Sequence, residues 1–161
     1  LFELLCDDGH LERDAEHFTH DQAEVARVVR PGGTVSAYAW DMPGQAFPYA
    51  VVMEELRALG LTPPTPANPE ASRLDVLEGL WAGAGLRDVR TTAITVERTF
   101  GSFAEYWETL HCAPTAASTL KVMDAATTAR LQDTLQRRLP ADAEGRITYS
   151  ARAHAVAGTV A

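Results

Sequence analysis

The side chains able to do acid–base or ligand chemistry fall in a few short stretches. Asp41 follows an apolar run that ends in Trp40 and precedes Met42-Pro43-Gly44. A carboxylate there can orient a substrate or accept its proton. The same residue type also accepts local backbone N–H groups in a turn. Cys6, Asp7 and Asp8 close an earlier apolar run, LFELLC. Open α/β sheets bind ligands beyond the carboxyl ends of their strands, so both stretches are site candidates, with Trp40 either lining a pocket or filling the sheet surface. His10, Glu12, Glu16, His17 and His20 crowd the polar stretch HLERDAEHFTHD. Glu16/His20 and His17/His20 could each share a helix face, but no HExxH or facial-triad spacing appears. No metal is assigned, and a solvated helix or loop is expected. Phe103, Tyr106, Trp107 and Leu110 form a helical stripe at i, i+3, i+4, i+7, which reads as core or as one wall of a ligand site. His111 and His154 have no neighbour that would orient them as acid, base or nucleophile, and are read as structural.

The elements that must position these residues are well punctuated. Asp21–Arg30 reads as a short amphipathic helix with Asp21 as cap, Glu24 three residues on, and Val25, Val28 and Val29 on one face. Pro31-Gly32 suits a type II turn. Thr34–Trp40 (TVSAYAW) is apolar enough on both faces for a strand inside a parallel sheet. With Leu1–Cys6 as a strand, residues 1–40 would form a parallel, right-handed strand–helix–strand unit. Tyr49–Leu59 is a helix stopped by Gly60, and the Pro-rich stretch 61–69 is an extended connection. Ser72 is expected to cap a helix that turns Leu74, Leu77 and Trp81 inward. Asp88–Phe100 alternates and is rich in Thr, Val and Ile, as a strand does. Ser102 with Glu105 makes a capping box for the aromatic helix, and Asp124 opens a helix carrying Leu131, Leu135 and Leu139. Ile147–Val156 is the last strand, with Ile147, Tyr149, Ala151, Ala153 and Ala155 sharing one face.

Composition narrows the class. The 161 residues suggest one domain. A net charge of −8 and pI of about 5.0 argue against a nucleic-acid or anionic-membrane partner, which needs a basic face. No apolar run is long enough for a membrane span, and nothing resembles a signal peptide. Cys6 and Cys112, in no CxxC, read as reduced thiols of a cytoplasmic protein. The chain begins with Leu1 rather than Met, so a longer natural chain is expected.

Taken together, EVARVVRPGGTVSAYAWD, LEGLWAGAGLRDVRTTAITVERTF and ITYSARAHAVAGTV resemble, in order, the segments around strands five, six and seven of class I S-adenosylmethionine-dependent methyltransferases. The nearest likeness is to the small-molecule enzymes of the "type 11" kind, over about residues 21–161. The resemblance implies an α/β fold with a partial Rossmann-like sheet. Its strands would be equivalent to 4-5-7-6, the last antiparallel. A helical cap would be built from inserts at about 42–72 and 101–145 of a single, incomplete domain. It implies S-adenosylmethionine as cofactor and a small-molecule acceptor. Asp41 becomes a candidate for orienting the acceptor or removing its proton. Cys6, Asp7 and Asp8 fall on the cofactor side, and Trp40, Phe103, Tyr106 and Trp107 on the substrate side.

The sequence departs from that family in one large respect. The family's Gly-rich loop after the first strand cradles the cofactor, and no GxGxG occurs here. Only 33 residues precede Thr34, whereas three βαβ steps need about 100. The chain is therefore expected to be the C-terminal half of such an enzyme. The alternative is a non-enzymatic remnant or ligand-binding module without a cofactor site. In either case the Leu1–Cys6 strand would have a bare edge, a pairing hazard, and the chain is expected to dimerise or self-associate through residues 1–6, or to leave them disordered.

Overall fold

The computed structural model describes residues 2–6, 9–13, 29–139 and 141–161. The expected helix 21–30 therefore lies almost wholly outside the described residues, as do Asp7, Asp8, Glu16, His17 and His20. The described strands are β1 (Phe2–Cys6), β2 (Gly9–Arg13), β3 (Thr34–Trp40), β4 (Arg87–Phe100) and β5 (Ile147–Thr159). The helices are α1 (Ala50–Ala58), α2 (Leu74–Gly83), α3 (Phe103–Leu110), α4 (Pro114–Leu120) and α5 (Ala125–Arg138), with a 3-10 turn at Pro69–Ser72. This is a mixed α/β protein whose strands form one sheet in the order β2-β1-β3-β5-β4.

Strand direction corrects the sequence expectation. β1 runs antiparallel to β3, with Leu4 opposite Ala37, and β3 runs antiparallel to β5, with Ala37 opposite Val156. β3 is thus not inside a parallel sheet, and residues 1–40 are not a parallel strand–helix–strand unit. The reason is β2, in the stretch read as helix or loop. Two residues separate it from β1, a connection that permits only antiparallel pairing, and it pairs with β1 from Phe2–Arg13 to Cys6–Gly9. β2 and β3 then point the same way on either side of β1. The β1 edge expected to be bare is paired with β2, which removes the basis for dimerisation through that edge. His10 and Glu12 stand two apart on β2, opposite Leu5 and Glu3.

The chain divides into two compact units. The first comprises residues 1–47, 66–95 and 151–161. Its core joins the β3 face Val35, Ala37 and Ala39 to Val156 of β5 and to Leu77 and Trp81 of α2. The burial of β3 alternates, with Val35, Ala37 and Ala39 nearly inaccessible and Ser36, Tyr38 and Trp40 half-buried. That is the pattern of an antiparallel strand with one face on a core. Ser72 does not cap α2; Arg73 stands at the cap, and Ser72 closes the preceding 3-10 turn.

The second unit comprises residues 48–65 and 96–150. α1 packs against α5, and Arg138 of α5 reaches Glu54 at 2.9 Å and also Glu55 of α1. Gly60, at φ 81°, ends α1 as the sequence indicates. Asp124 accepts the Thr127 N–H at 2.7 Å and caps α5, which buries Leu131 and Leu135. Ser102 accepts the Glu105 N–H at 3.2 Å to start α3. The return bond of the capping box goes one residue further back, from the Gly101 N–H to Glu105 Oε2 at 2.7 Å.

Candidate functional site

Asp41 is the residue immediately after β3, and the register that pairs Trp40 with Ala153 puts it opposite Arg152 of β5. The Asp41 N–H donates to the Arg152 carbonyl at 2.9 Å. Residues directly opposite share a face of the sheet, so Asp41, Arg152 and, two pairs earlier, Ala39 and His154 continue the core face of the first unit. That face is apolar through Val35, Ala37 and Ala39 and ends in a polar group.

The group is closely bonded. Asp41, only 3% exposed, accepts the Gly44 N–H on Oδ1 at 2.8 Å. Its Oδ2 accepts Nε and Nη2 of Arg152 at 2.9 and 2.5 Å. His154 Nδ1 lies 2.7 Å from the Ser72 carbonyl. A carbonyl only accepts, so this nitrogen carries the proton. The other ring nitrogen lies 3.7 Å from Asp41 Oδ2, too far for a hydrogen bond. Ser72, itself buried, donates Oγ–H to the Pro69 carbonyl at 2.8 Å and accepts the Met42 N–H at 3.3 Å. The 3-10 turn is thereby tied to the exit of β3 and to β5.

Burial is the largest influence on the Asp41 carboxyl and pushes its pKa up. The hydrogen bonds from Arg152 and Gly44 and the charges of His154 and Arg152 outweigh it, holding the carboxyl below the usual 3.8. A carboxylate so held, with both oxygens already accepting, is a weak base. Its geometry is that of a brace between β3 and β5. Gly44 is part of that brace, because a Cβ there would lie 2.2 Å from Asp41 Oδ2.

The aromatic residues lie in the second unit. Phe103 of α3 is half-buried, while Tyr106 and Trp107 are buried. Phe103 lies 6.3 Å from Tyr106 and 6.4 Å from Trp107, ring centre to ring centre. Tyr106 meets Phe100 edge-on at 5.2 Å and Tyr149 of β5 at 6.5 Å. Burial keeps both tyrosines protonated, pushing the Tyr149 hydroxyl up to about 12 and Tyr106 further in the same direction.

The structure thus gathers Phe103, Tyr106 and Trp107, as the stripe indicates, and places Trp40 half-buried on the face opposite Asp41. Cys6 ends β1, opposite Gly9 of β2 and Val35 of β3. Sequence reasoning missed Arg152 and the partners of His154 and Ser72. The signal for the first two was present: Arg152 and His154 alternate along β5. The expected inward face of β5 holds for Ile147, Ala151 and Ala153, but Ala155 is only half-buried, and His154, Val156 and Gly158 are buried instead. His154, read as having no neighbour that orients it, is oriented by the Ser72 carbonyl.

Gly32 and Gly33 do not form a cradle for S-adenosylmethionine. Gly32, at φ 79°, spends its N–H on the Val160 carbonyl at 2.9 Å. A Cβ on Gly33 would lie 2.6 Å from Val29 Cγ1. Both glycines serve the turn into β3 and its packing. Among the described residues no helix is long and apolar enough to cross a membrane. No protein-family model matches the chain, and no curated protein matches it.

Proposed function

We propose that these residues are the C-terminal half of a class I S-adenosylmethionine-dependent methyltransferase acting in the cytoplasm on a small-molecule acceptor. The observation that carries this reading is strand order. β1-β3-β5-β4 follows the 4-5-7-6 order that the sequence resemblance implies, and β5 is antiparallel to β3 as the family's last strand is. The reversed direction of β1 confines the support to β3, β5 and β4. In this reading the cofactor is held mainly by residues upstream of Leu1. The coding sequence upstream of Leu1 tests it: a Gly-rich strand–loop–helix there is the expected result, and a genuine start codon at residue 1 would overturn it.

A second reading, a ligand-binding module without a cofactor site, is favoured by the state of Asp41. Its carboxylate is committed to Arg152 and Gly44, which makes it a poor proton acceptor.

A further inference from the structure

The two edges of the sheet are finished differently. β2 closes one edge with five residues, GHLER, and a short strand carrying charges resists further pairing. β4 closes the other edge with 14 residues. From Val89 to Phe100 it contains no Gly, Pro or Lys, the residues that blunt an edge. Its middle, Thr91–Val96 (TTAITV), is uncharged and rich in β-branched residues, a composition that pairs readily with another strand. It is also open: every residue from Thr92 to Thr99 is exposed. Ile94 and Val96, at 45% and 46%, are two of the three large apolar side chains exposed among the described residues. Standing two apart on a strand, they share one face. β5 pairs with one side of β4, and among the described residues no strand pairs with the other.

The sequence of the strand restricts what covers it. Two copies related by a two-fold axis perpendicular to the sheet pair antiparallel, and every side chain keeps its face. Directly opposite residues share a face, so the axis passes through a residue, which then meets its own copy. Centred on Ala93, such a pairing sets Val96 against Arg90. Centred on Ile94, it sets Arg90 against Arg98, a like-charge pair that destabilises. Centred on Val96, it sets Ile94 against Arg98. Centred on Thr95, it sets Ile94 against Val96 on both sides of the axis and Thr95 against Thr95, with Thr92 against Arg98 and Ala93 against Glu97. In that register no charge stands opposite a like charge, and each exposed apolar side chain is covered by the other's copy. From this self-complementarity we propose that β4 is a homodimer interface: a second copy of this chain adds its own β4 antiparallel, about a two-fold axis at Thr95, and joins the two five-stranded sheets into one. The contact uses the β4 edge of both copies, so assembly stops at two. It is independent of the transferase reading.

Sedimentation equilibrium of the full chain, from about 1 μM to about 1 mM, tests the association. One strand from each copy makes a small interface, so a monomer–dimer equilibrium with Kd of about 10–100 μM is expected, with no larger species. Val96→Lys puts a charge into the apolar pair and weakens the dimer by about tenfold or more. Val96 is nearly half exposed, so the same change leaves the unfolding midpoint of the monomer close to that of wild type. The register is read by oxidation in a background with Cys6→Ala and Cys112→Ala. Thr95→Cys is expected to form a disulfide-linked dimer, because opposed Cα atoms stand about 4.5–5.5 Å apart. Ala93→Cys is not, because its two copies are offset by four residues, about 13 Å. A chain that stays monomeric up to about 1 mM, growth beyond two copies, or a dimer as tight in Val96→Lys as in wild type overturns the interface. Crosslinking of Thr95→Cys no faster than that of Ala93→Cys overturns the register and with it the proposal.

Discussion

Replacing Asp41 by asparagine is the most informative single change in the first unit. The side chain keeps its size, and its oxygen can still accept the Gly44 N–H. The loss is confined to the Arg152 side, where an NH₂ group would meet the guanidinium in place of Oδ2. Two charge-assisted hydrogen bonds at 2.9 and 2.5 Å disappear, each worth about 1.5–3 kcal/mol. The Arg152 side chain is 44% exposed, so water recovers much of its solvation and the ion pair must be discounted accordingly. Relief of the buried carboxylate's desolvation offsets a further part. The net cost is about 2 kcal/mol, which for a chain of this size lowers Tm by about 4–8 °C. Thermal unfolding at pH 7 measures it. The pH profile supplies a second reading. The folded Asp41 pKa lies below its ordinary 3.8, so its contribution is complete above that value. It is lost as pH falls through the lower folded value. The wild-type chain therefore loses stability over that acid range relative to Asp41→Asn, and the gap between them closes. An Asn variant within 0.5 kcal/mol of wild type at pH 7, roughly the scatter of a surface change, would refute the brace.

Other outcomes follow from the same geometry. Gly44→Ala forces the Asp41 carboxylate aside and is expected to cost about 1–3 kcal/mol; chemical denaturation would measure it, and in an Asp41→Asn background the cost should change through the shared contact. Ser102→Ala removes the α3 cap and is expected to cost about 1 kcal/mol, with faster amide exchange at Glu105 as its local sign. Leu135→Ala opens a fully buried site in α5 and should cost about 2–5 kcal/mol, read as a lower urea midpoint.

The parts of the fold legible in the sequence are those fixed by local chemistry. Thr34–Trp40 is a strand over the expected residues, Gly60 stops α1, and Ser102 and Asp124 cap their helices, because each depends on residues within a few positions. Strand direction was not legible. The short, largely apolar run Leu1–Cys6 fits a parallel or an antiparallel neighbour equally well, and β2 was hidden in charged sequence that signals solvation before it signals pairing. The Asp41–Arg152 pair spans 111 positions, and only the β3–β5 register brings it together. Ser72 has the residue type of a helix cap, but its hydroxyl serves the Pro69 carbonyl and the Met42 N–H instead.

Calorimetric titration with S-adenosylmethionine bears most directly on the central claim, comparing residues 1–161 with the same chain extended by its upstream coding sequence. The account predicts saturable binding by the extended chain and none at micromolar concentration by residues 1–161. Micromolar binding by residues 1–161, or no binding by the extended chain, would contradict it.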